Sequence, residues 1–346
     1  MALAVECGEG GMDGSVTDHT GLVLVTGGAG FIGSNVALAL AAQGRQVVIC
    51  DDLGADARWM NLREGTFHDI IAIDDLPRWL SGHEDEVGAI VHMGAISATT
   101  ERDVDRIVRL NIRASLDLWA LCARIGIPFI YASSAATYGD GALGFDDTQD
   151  LGQLERLKPL NAYGWSKHFV DRRILADRDR GAPTPPSWAG LKFFNVYGPR
   201  ESHKGPMRSV IHQIYQTIER GETVTLFKSD NPDYPEGGQM RDFIHVDDCV
   251  RFILNVLAKP GTAGIFNVGT GQARTFRELA VATFAAMGRE PEISYVDMPP
   301  ALRARYQYFT EAKTGRGVAG QLAPNYRSLE DGAAEYVAWL RDNPDF

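Results

Sequence analysis

A predicted strand, a glycine-rich turn and a predicted helix follow one another near the start of the chain, and this order constrains the fold most. Residues 22–33 read Leu-Val-Leu-Val-Thr-Gly-Gly-Ala-Gly-Phe-Ile-Gly, and an Ala- and Leu-rich helical pattern follows from Asn35 to Ala42. In such a turn the first glycine permits the bend, the second lets backbone approach a pyrophosphate, and the third lets the helix pack on the strand. Gly27, Gly30 and Gly33 have this spacing. Because the N–H groups at a helix N-terminus favour phosphates, the segment predicts a dinucleotide site.

The second predicted strand, Gln46 to Cys50, ends at two acidic residues, Asp51 and Asp52. An acid about 20 residues after the glycines accepts hydrogen bonds from the ribose diol of an adenosine, which favours NAD. Arg58 follows shortly and could instead bind a 2′-phosphate, which favours NADP. From these residues alone, both interpretations stay open.

Small residues follow the next predicted strand, Ala89 to His92. The segment 93–97 (Met-Gly-Ala-Ile-Ser) would let a cofactor approach the backbone. His92 itself is predicted to be a buried, hydrogen-bonded histidine rather than a ligand. Asn111 lies at the centre of a long predicted helix, Val104 to Ile125, where it can either satisfy backbone groups or contact a bound cofactor.

Hydroxyl groups follow the predicted strand Phe129 to Ala132, at the edge where ligands bind in a doubly wound sheet. There, Ser134 could donate a hydrogen bond to a carbonyl oxygen that forms in a reaction. Tyr163 and Lys167 are four residues apart in a predicted helix that runs to Ala176, so their side chains share one face. An ammonium beside a phenol favours the phenolate and lowers its pKa. The pair therefore suits proton transfer at a sugar hydroxyl or carbonyl.

Strand and helix patterns alternate as far as Asn195, as in a parallel sheet covered by helices on both faces. Residues 66–90 have a mixed pattern with an acidic stretch that we interpret as solvated surface, and 140–160 is predicted to be an irregular loop. After Asn195 polar loops appear at 201–208 and 228–240. We therefore predict an α/β fold, a Rossmann-type doubly wound parallel sheet with a smaller α/β substrate-binding C-terminal domain. The predicted division is 1–20 as a disordered extension, 21–195 as the NAD(P)-binding domain, with 242–270 returning to it, and 196–241 and 271–346 as the substrate-binding domain.

The composition excludes several classes of protein. The 346 residues carry a formal net charge of -11, which argues against a non-specific nucleic-acid binder, whose affinity comes from Lys and Arg. The four cysteines form no Cys-x-x-Cys pair, so neither a metal cluster nor a disulfide scaffold is predicted. No apolar run approaches the roughly 20 residues of a membrane helix, and the first twenty residues lack a signal-peptide pattern. We expect a cytoplasmic protein without metal, nucleic acid or membrane partners.

Taken in order, the motifs resemble those of the extended short-chain dehydrogenase/reductase superfamily, which contains nucleotide-sugar epimerases and dehydratases. The resemblance covers about residues 22–341. It rests on the glycine turn, on Ser-Ser-Ala-Ala-Thr-Tyr-Gly at 133–139, on Tyr163-x-x-x-Lys167, and on Arg-Asp-Phe-Ile-His-Val-Asp-Asp at 241–248.

Within that superfamily the chain is most similar to the ADP-heptose 6-epimerases of lipopolysaccharide core biosynthesis. The stretches that carry this similarity are 94–101, 131–139, 194–207 and 305–310. His203-Lys204-Gly205 matters most, because general nucleotide-sugar epimerases do not share it. The resemblance implies inversion of C6″ of an ADP-heptose through transient oxidation to an aldehyde, with NADP as the cofactor (NAD being possible), and a homo-oligomer.

The resemblance also assigns roles to residues. Tyr163 and Lys204 are the implied acid/base groups, assisted by Lys167 and Ser134, and no metal is implied. The implied cofactor-binding residues are Gly27, Gly30, Phe31, Ile32, Gly33, Asp51, Asp52, Arg58, Met93, Gly94, Ala95, Ile96, Ser97, Asn111, Lys167 and Val196. The implied substrate-binding residues are Ser134, Asn195, Lys204, Pro206, Gln213, Phe227, Lys228, Arg241 and Tyr306. The chain departs from the family pattern at Met93, Ile96 and Pro206, and its loop 230–240 is longer than expected.

Two other classes of function compete with this prediction. One is another epimerase of UDP- or GDP-hexoses, or a dehydratase. A dehydratase needs a carboxylate close to the catalytic hydroxyl, whereas Ala135 and Ala136 follow Ser134 here. The other is a non-catalytic NAD(P)-binding protein, which the presence of Ser134, Tyr163 and Lys167 disfavours.

Overall fold

A sheet of seven parallel strands forms the centre of the protein in the computed structural model, which describes residues 21–303 and 306–346. The predicted extension 1–20 lies outside the described residues. The strands are β1 (Leu22–Thr26), β2 (Val47–Cys50), β3 (Asp69–Ile71), β4 (Val87–His92), β5 (Phe129–Ser134), β6 (Trp188–Phe193), β7 (Asn195–Tyr197), β8 (Val224–Phe227), β9 (Met240–His245), β10 (Ala263–Val268), β11 (Ala273–Thr275) and β12 (Ile293–Val296).

The α-helices are α1 (Phe31–Ala42), α2 (Leu76–His83), α3 (Val104–Ile107), α4 (Ala114–Ile125), α5 (Leu151–Arg156), α6 (Ala162–Asp179), α7 (Val210–Glu219), α8 (Val246–Leu257), α9 (Phe276–Met287), α10 (Pro300–Arg303), α11 (Gly315–Ala319) and α12 (Leu329–Asp342). A π-helical stretch, Val108–Arg113, joins α3 to α4, so the helix predicted over 104–125 is continuous. Short 3-10 helices span Ala57–Leu62, Ile73–Asp75, Ala135–Tyr138 and Ser202–Met207.

The strands of the large sheet lie in the order β10-β6-β5-β4-β1-β2-β3. The chain leaves β1 in one direction and β4 in the other, so a crevice opens beyond the carboxyl ends of these two strands, where doubly wound sheets bind ligands. Helices α1 and α8 cover one face of the sheet, and α4 and α6 cover the other. The predicted α/β Rossmann-type fold is therefore confirmed, whereas the predicted domain boundaries stay a prediction.

Two small sheets extend the molecule beyond this crevice. Strands β7 and β9 pair in parallel, and β11 pairs antiparallel with β9. Strands β8 and β12 pair in parallel next to a separate apolar core formed with α7, α9 and α12. No helix within the described residues is long and apolar enough to cross a lipid bilayer.

Three local predictions were wrong. The mixed region 66–90 contains β3 and α2, and β3 was missed because two of its three residues are exposed at the sheet edge and show no buried pattern. The loop predicted over 140–160 contains α5, which Asp150 caps by accepting a hydrogen bond from Gln153 N at 2.9 Å. Helix α1 begins at Phe31, directly after the glycine turn, and not at Asn35.

Candidate active site

The glycine turn after β1 lies against the segment that follows β4. Gly27 has a φ of 63°, and a Cβ there would lie 2.5 Å from Gly94 N. A Cβ at Gly33 would lie 2.0 Å from Gly27 O. Side chains would therefore fill the crevice and push α1 away from the turn. The bare backbone, followed at once by the N-terminus of α1, fits a dinucleotide pyrophosphate.

The acidic residues after β2 have different surroundings. Asp51 is buried, and its carboxylate accepts hydrogen bonds from Ala29 N at 3.0 Å and Asp52 N at 2.9 Å. Burial raises the pKa of Asp51. Asp52 is exposed and accepts from Ile73 N at 3.1 Å. Asp51 therefore holds the glycine turn in place, and Asp52 is the acid that a bound ribose can reach.

Arg58 stands beside both acids on the 3-10 helix Ala57–Leu62. Its Nη2 donates to Asp56 Oδ2 at 2.8 Å, and its Nη1 lies 3.7 Å from Asp51 Oδ1. The hydrogen bond with Asp56 raises the pKa of Arg58 and outweighs the effect of partial burial. The guanidinium is thus held at the end of β2, where the 2′-position of an adenosine ribose would lie.

Asn111 is hydrogen-bonded to the backbone of the segment 93–97, which follows β4. Its Oδ1 accepts from Ile96 N at 2.8 Å, and its Nδ2 donates to Ile96 O at 3.0 Å and to Ser166 Oγ at 3.0 Å. The side chain has no accessible surface. Both amide hydrogens are donated within the protein, which supports the interpretation that Asn111 satisfies backbone groups. Its direct contact with a cofactor stays a prediction. His92 is buried as predicted, between Thr26 and Ser115.

Tyr163 and Ser134 meet at the carboxyl edge of the sheet. Asn161 caps α6 by accepting a hydrogen bond from Gly164 N at 2.8 Å, which places Tyr163 in the first turn. Burial raises the pKa of Tyr163, and the hydrogen bond with Ser134 acts in the opposite direction. The net shift is opposite to the one expected from Lys167, because burial dominates, and the lowering of this pKa by Lys167 stays a prediction. Lys167 is itself buried, and burial lowers its pKa to about 8.

The close approach of Tyr163 to Ser134 depends on Gly164, which the sequence analysis did not single out. A Cβ at Gly164 would lie 2.7 Å from Ala136 O, in the 3-10 helix that follows Ser134. Only a residue without a side chain lets α6 pack this closely on that turn. The available signal was a glycine directly after the predicted catalytic tyrosine.

A buried ion pair that sequence analysis also missed lies behind these residues. Lys192 Nζ is 3.3 Å from Asp171 Oδ2 and donates to Thr137 Oγ1 at 2.8 Å. Asp171 also accepts hydrogen bonds from Tyr131 OH at 2.9 Å and Ser133 Oγ at 2.8 Å. The charge of Asp171 acts to raise the pKa values of both Tyr163 and Lys167. Two signals were available: Asp171 follows Lys167 by one helical turn, and Lys192 interrupts an apolar strand.

Lys204 lies on the short 3-10 helix Ser202–Met207, within the loop predicted over 201–208. Its Nζ is 3.7 Å from Glu201 Oε2 and 5.0 Å from the centre of the Phe31 ring. Glu201 is fully buried and also accepts hydrogen bonds from Ser209 N at 2.7 Å and from Tyr336 OH at 3.0 Å. Within the described ranges, no hydrogen bond or ion pair joins Lys204 to Tyr163.

The turn that bears Lys204 is attached to the glycine turn by Asn61, a second residue that sequence analysis missed. Asn61 Nδ2 donates to Ala29 O at 2.9 Å and lies 3.2 Å from His203 Nδ1. Burial, together with the nearby charges of Arg58 and Lys204, lowers the pKa of His203 to about 4. The imidazole is therefore neutral at physiological pH, and its Nδ1 can accept the amide hydrogen.

The other predicted substrate residues lie on several different elements. Arg241 and Tyr306 are in contact, with the guanidinium carbon 5.3 Å from the ring centre. Phe227 ends β8, and Lys228 follows it and pairs with Asp297 at 3.2 Å. The remaining three are Asn195 on β7, Pro206 on the 3-10 helix Ser202–Met207, and Gln213, which is exposed on α7. Val196, which was predicted to bind the cofactor, follows Asn195 on β7.

The family model of the NAD dependent epimerase/dehydratase family matches residues 23–269. The chain belongs to this family. The ADP-L-glycero-D-manno-heptose-6-epimerase of Nitratidesulfovibrio vulgaris (strain Hildenborough) is 48% identical over 326 residues, which cover 91% of this chain and 97% of the relative. The protein of the same name from Fusobacterium nucleatum (strain ATCC 25586) is 41% identical over 325 residues, with coverages of 91% and 97%.

A solved structure with the same name, from Helicobacter pylori, has a TM-score of 0.77 and 26% identity, covering 93% of this chain and 97% of the other. These comparisons confirm the resemblance to the epimerase/dehydratase superfamily and, within it, to the heptose epimerases. They also confirm that the cofactor is of the NAD type. The roles of individual residues and the homo-oligomeric state stay predictions.

Proposed function

We propose that this protein interconverts ADP-D-glycero-D-manno-heptose and ADP-L-glycero-D-manno-heptose by inverting C6″, with NADP as its cofactor. The protein is thus an isomerase that acts on a nucleotide sugar. The observation that carries the proposal is that two candidate proton-transfer groups lie next to elements of the predicted crevice. Tyr163 begins α6 and faces Ser134 at the end of β5. Lys204 Nζ lies 5.0 Å from the ring of Phe31, which follows the glycine turn, and Asn61 links the Lys204 turn to that turn. The names of the relatives at 48% and 41% identity support the heptose as the sugar.

The chemistry follows from the weak acidity of an ordinary carbinol C–H bond, which rules out inversion by direct deprotonation. When bound, the nicotinamide dinucleotide would supply a hydride acceptor and donor, so the carbinol can pass through a planar ketone at C6″. The aldehyde expected from the resemblance is wrong, because C6″ is a secondary carbinol bonded to both C5″ and C7″. Tyr163 exchanges the hydroxyl proton on one face of that carbon, and Ser134 donates a hydrogen bond to the oxygen. Lys204 exchanges the proton on the opposite face. Arg241 pairs with the diphosphate, for which a guanidinium has suitable geometry.

The choice of NADP rests on Arg58 at the end of β2. A 2′-phosphate can replace Asp56 as the partner of its guanidinium, which is a favourable charge-assisted contact. Replacing Arg58 by Ala should raise the Kd of NADP about tenfold, about 1.4 kcal/mol, and leave that of NAD nearly unchanged. Mass spectrometry of the cofactor released from purified protein gives an independent measurement. Recovery of NAD alone would contradict this choice.

Purified protein incubated with either ADP-heptose epimer should produce a mixture of the two, measured by chromatography. The variants Tyr163→Phe and Lys204→Met should each lower kcat by about a hundredfold or more, the size of a general acid/base contribution. Lys313→Met is a matched control, because Lys313 is exposed and, among the described residues, its one ion-pair partner is Asp146. Its activity should equal that of the wild type.

Several outcomes would contradict the proposal in different ways. Substantial residual epimerisation by Lys204→Met contradicts the two-base mechanism, and full activity in both variants contradicts the whole site. Turnover of UDP- or GDP-hexoses without turnover of the heptose indicates the competing epimerase. Tight cofactor binding without turnover of any nucleotide sugar indicates a non-catalytic protein.

A further inference from the structure

The long loop between β8 and β9, residues 228–239, is in contact with Arg303 and Tyr308 near the end of the chain. Arg303 Nε lies 3.0 Å from Asp230 Oδ2, and Asp230 N donates to Tyr308 OH at 3.3 Å. The rings of Tyr234 and Tyr308 lie 5.3 Å apart and are tilted by 36°. The loop between β8 and β9 is therefore held in place by an ion pair, a hydrogen bond and an aromatic contact.

Arg241 lies beneath this junction without a carboxylate partner. Its Nη1 donates to Met240 O at 2.8 Å, and its guanidinium stacks on Tyr306 and Phe276. Within 21–303 and 306–346, no ion pair involves Arg241. Burial lowers the pKa of Arg241, which reflects the cost of enclosing a charge that has no counter-ion. An anionic group of a ligand would remove that cost.

Aromatic rings lead outward from this cation. The guanidinium carbon of Arg241 is 5.3 Å from the Tyr306 ring, the rings of Tyr306 and Tyr308 are 5.3 Å apart, and Tyr234 follows at the same spacing. All three tyrosines are only partly buried, so each keeps some accessible surface. In a nucleoside diphosphate, one ribose separates the diphosphate from the base. A diphosphate on Arg241 thus brings the base within reach of the outer rings.

We propose that Tyr234 and Tyr308 form a base-binding wall, on which the adenine of the nucleotide sugar stacks while Arg241 binds the diphosphate. The inference rests on the proposed function, which supplies the nucleotide diphosphate, and it makes these two tyrosines determinants of specificity. Stacking on aromatic rings is available to every base, but a purine has the larger face and covers more of the wall. The long loop therefore selects ADP over UDP.

The test measures binding without turnover. The full chain, with its cofactor bound, is titrated with ADP, UDP and inorganic pyrophosphate by calorimetry. Tyr234→Ala and Tyr308→Ala should each raise the Kd of ADP about tenfold, about 1.4 kcal/mol. The Kd of UDP should rise less, and that of pyrophosphate should not change. Tyr234→Phe is the matched control and should bind ADP as the wild type does, because it keeps the ring.

Three results would overturn the proposal: unchanged ADP binding in the Ala variants, an equal loss for ADP and pyrophosphate, or a loss in Tyr234→Phe, which would assign the contact to the hydroxyl. A far-ultraviolet circular dichroism spectrum and a thermal unfolding midpoint equal to those of the wild type exclude misfolding of the Ala variants. If the wild-type protein itself does not epimerise the heptose, the proposed function fails. The ADP titrations then still decide whether the wall binds a base.

Discussion

Tyr163 and Lys204, the two proposed proton-transfer groups, are held in different ways. Tyr163 lies on α6, a helix of 18 residues that packs on the large sheet, and it meets Ser134 at the end of a central strand. Lys204 lies on a six-residue 3-10 helix interrupted by Gly205, which has a φ of 55°. Regular elements place the tyrosine, whereas side chains from distant parts of the chain place the lysine. We call the part of the site around Tyr163 on α6 the helix side, and the part around Lys204 on the 3-10 helix Ser202–Met207 the turn side. Activity should therefore fall when backbone packing changes on the helix side, and when single polar contacts are lost on the turn side.

The largest expected effect is on the helix side. In Gly164→Ala the new methyl group would lie 2.7 Å from Ala136 O, so α6 must move away from Ser134. A displacement of about 1 Å can cost about a hundredfold in rate, and we expect a fall in kcat of this size. The measurement is kcat with each epimer. The matched control is Gly82→Ala on α2, where a Cβ meets no atom within 4 Å; equal losses in the two variants would contradict the packing explanation.

A smaller effect is expected when the turn side loses a charge. Glu201→Gln keeps the shape of the buried side chain but removes the carboxylate next to Lys204. A charge-assisted contact contributes roughly 1.5–3 kcal/mol, so kcat should fall by about tenfold or somewhat more. Tyr336→Phe removes another hydrogen bond to Glu201 without touching Lys204. If Tyr336→Phe is as slow as Glu201→Gln, then Glu201 acts through the C-terminal helix and not through Lys204.

A weaker effect is expected from cutting the connection between the two turns. Asn61→Ala removes the hydrogen bonds to Ala29 O and His203 Nδ1. One neutral hydrogen bond contributes roughly 1 kcal/mol, so we expect a severalfold fall in kcat/KM together with weaker cofactor binding. The cofactor Kd can be measured by calorimetry. An unchanged cofactor Kd would show that the glycine turn does not depend on this contact.

The smallest expected effect is on the pH dependence of stability, and it comes from one histidine on each side, His168 and His203. Burial lowers the pKa of His168, on α6, and of His203, on the Lys204 turn, to about 4 from 6.5. The unfolded chain binds protons more readily than the native protein between these pH values, so stability falls as pH falls from 6.5 towards 4. Each histidine contributes at most about 1.4 kcal/mol per pH unit in this window, and solvent screening reduces that value.

The variants His168→Leu and His203→Leu should both weaken this acid sensitivity, measured by urea unfolding near neutral pH and at about pH 5. Neither ring nitrogen of His168 has a hydrogen-bond partner among the described residues, so His168→Leu should not lose stability at neutral pH. His203→Leu also loses the contact with Asn61 and should be less stable there. Equal stability of the two variants at neutral pH would contradict the role of Asn61 in holding the turn.

Much of the helix side could be predicted, because its signals are local. The spacing of Gly27, Gly30 and Gly33, and that of Tyr163 and Lys167, follow from the geometry of one turn or one helix. Gly164 and Asp171 were missed although each lies within one helical turn of a predicted residue. Their importance depends on what faces them, Ala136 for the glycine and Lys192 for the carboxylate.

On the turn side, the decisive contacts join residues that are far apart in the chain. Asn61 and His203 are separated by 142 positions, and Glu201 and Tyr336 by 135. No periodicity or spacing reports such a pair, since the fold alone brings the two segments together. For the same reason Asn111 could be placed in a helix from its sequence, but its choice between backbone and cofactor could not be predicted.

The sequence by itself determined the alternation of strands and helices in the parallel sheet, the glycine turn, and the side chains available for proton transfer, because these depend on local spacing. Only the tertiary structure decided that burial sets the direction of the Tyr163 pKa shift, and that Asp51 supports the turn while Asp52 stays accessible. It also decided that Glu201 pairs with Lys204 and that Asn61 links the Lys204 turn to the glycine turn. Those outcomes depend on solvent exclusion and on which groups compete for each hydrogen bond, and both arise only when distant segments pack together.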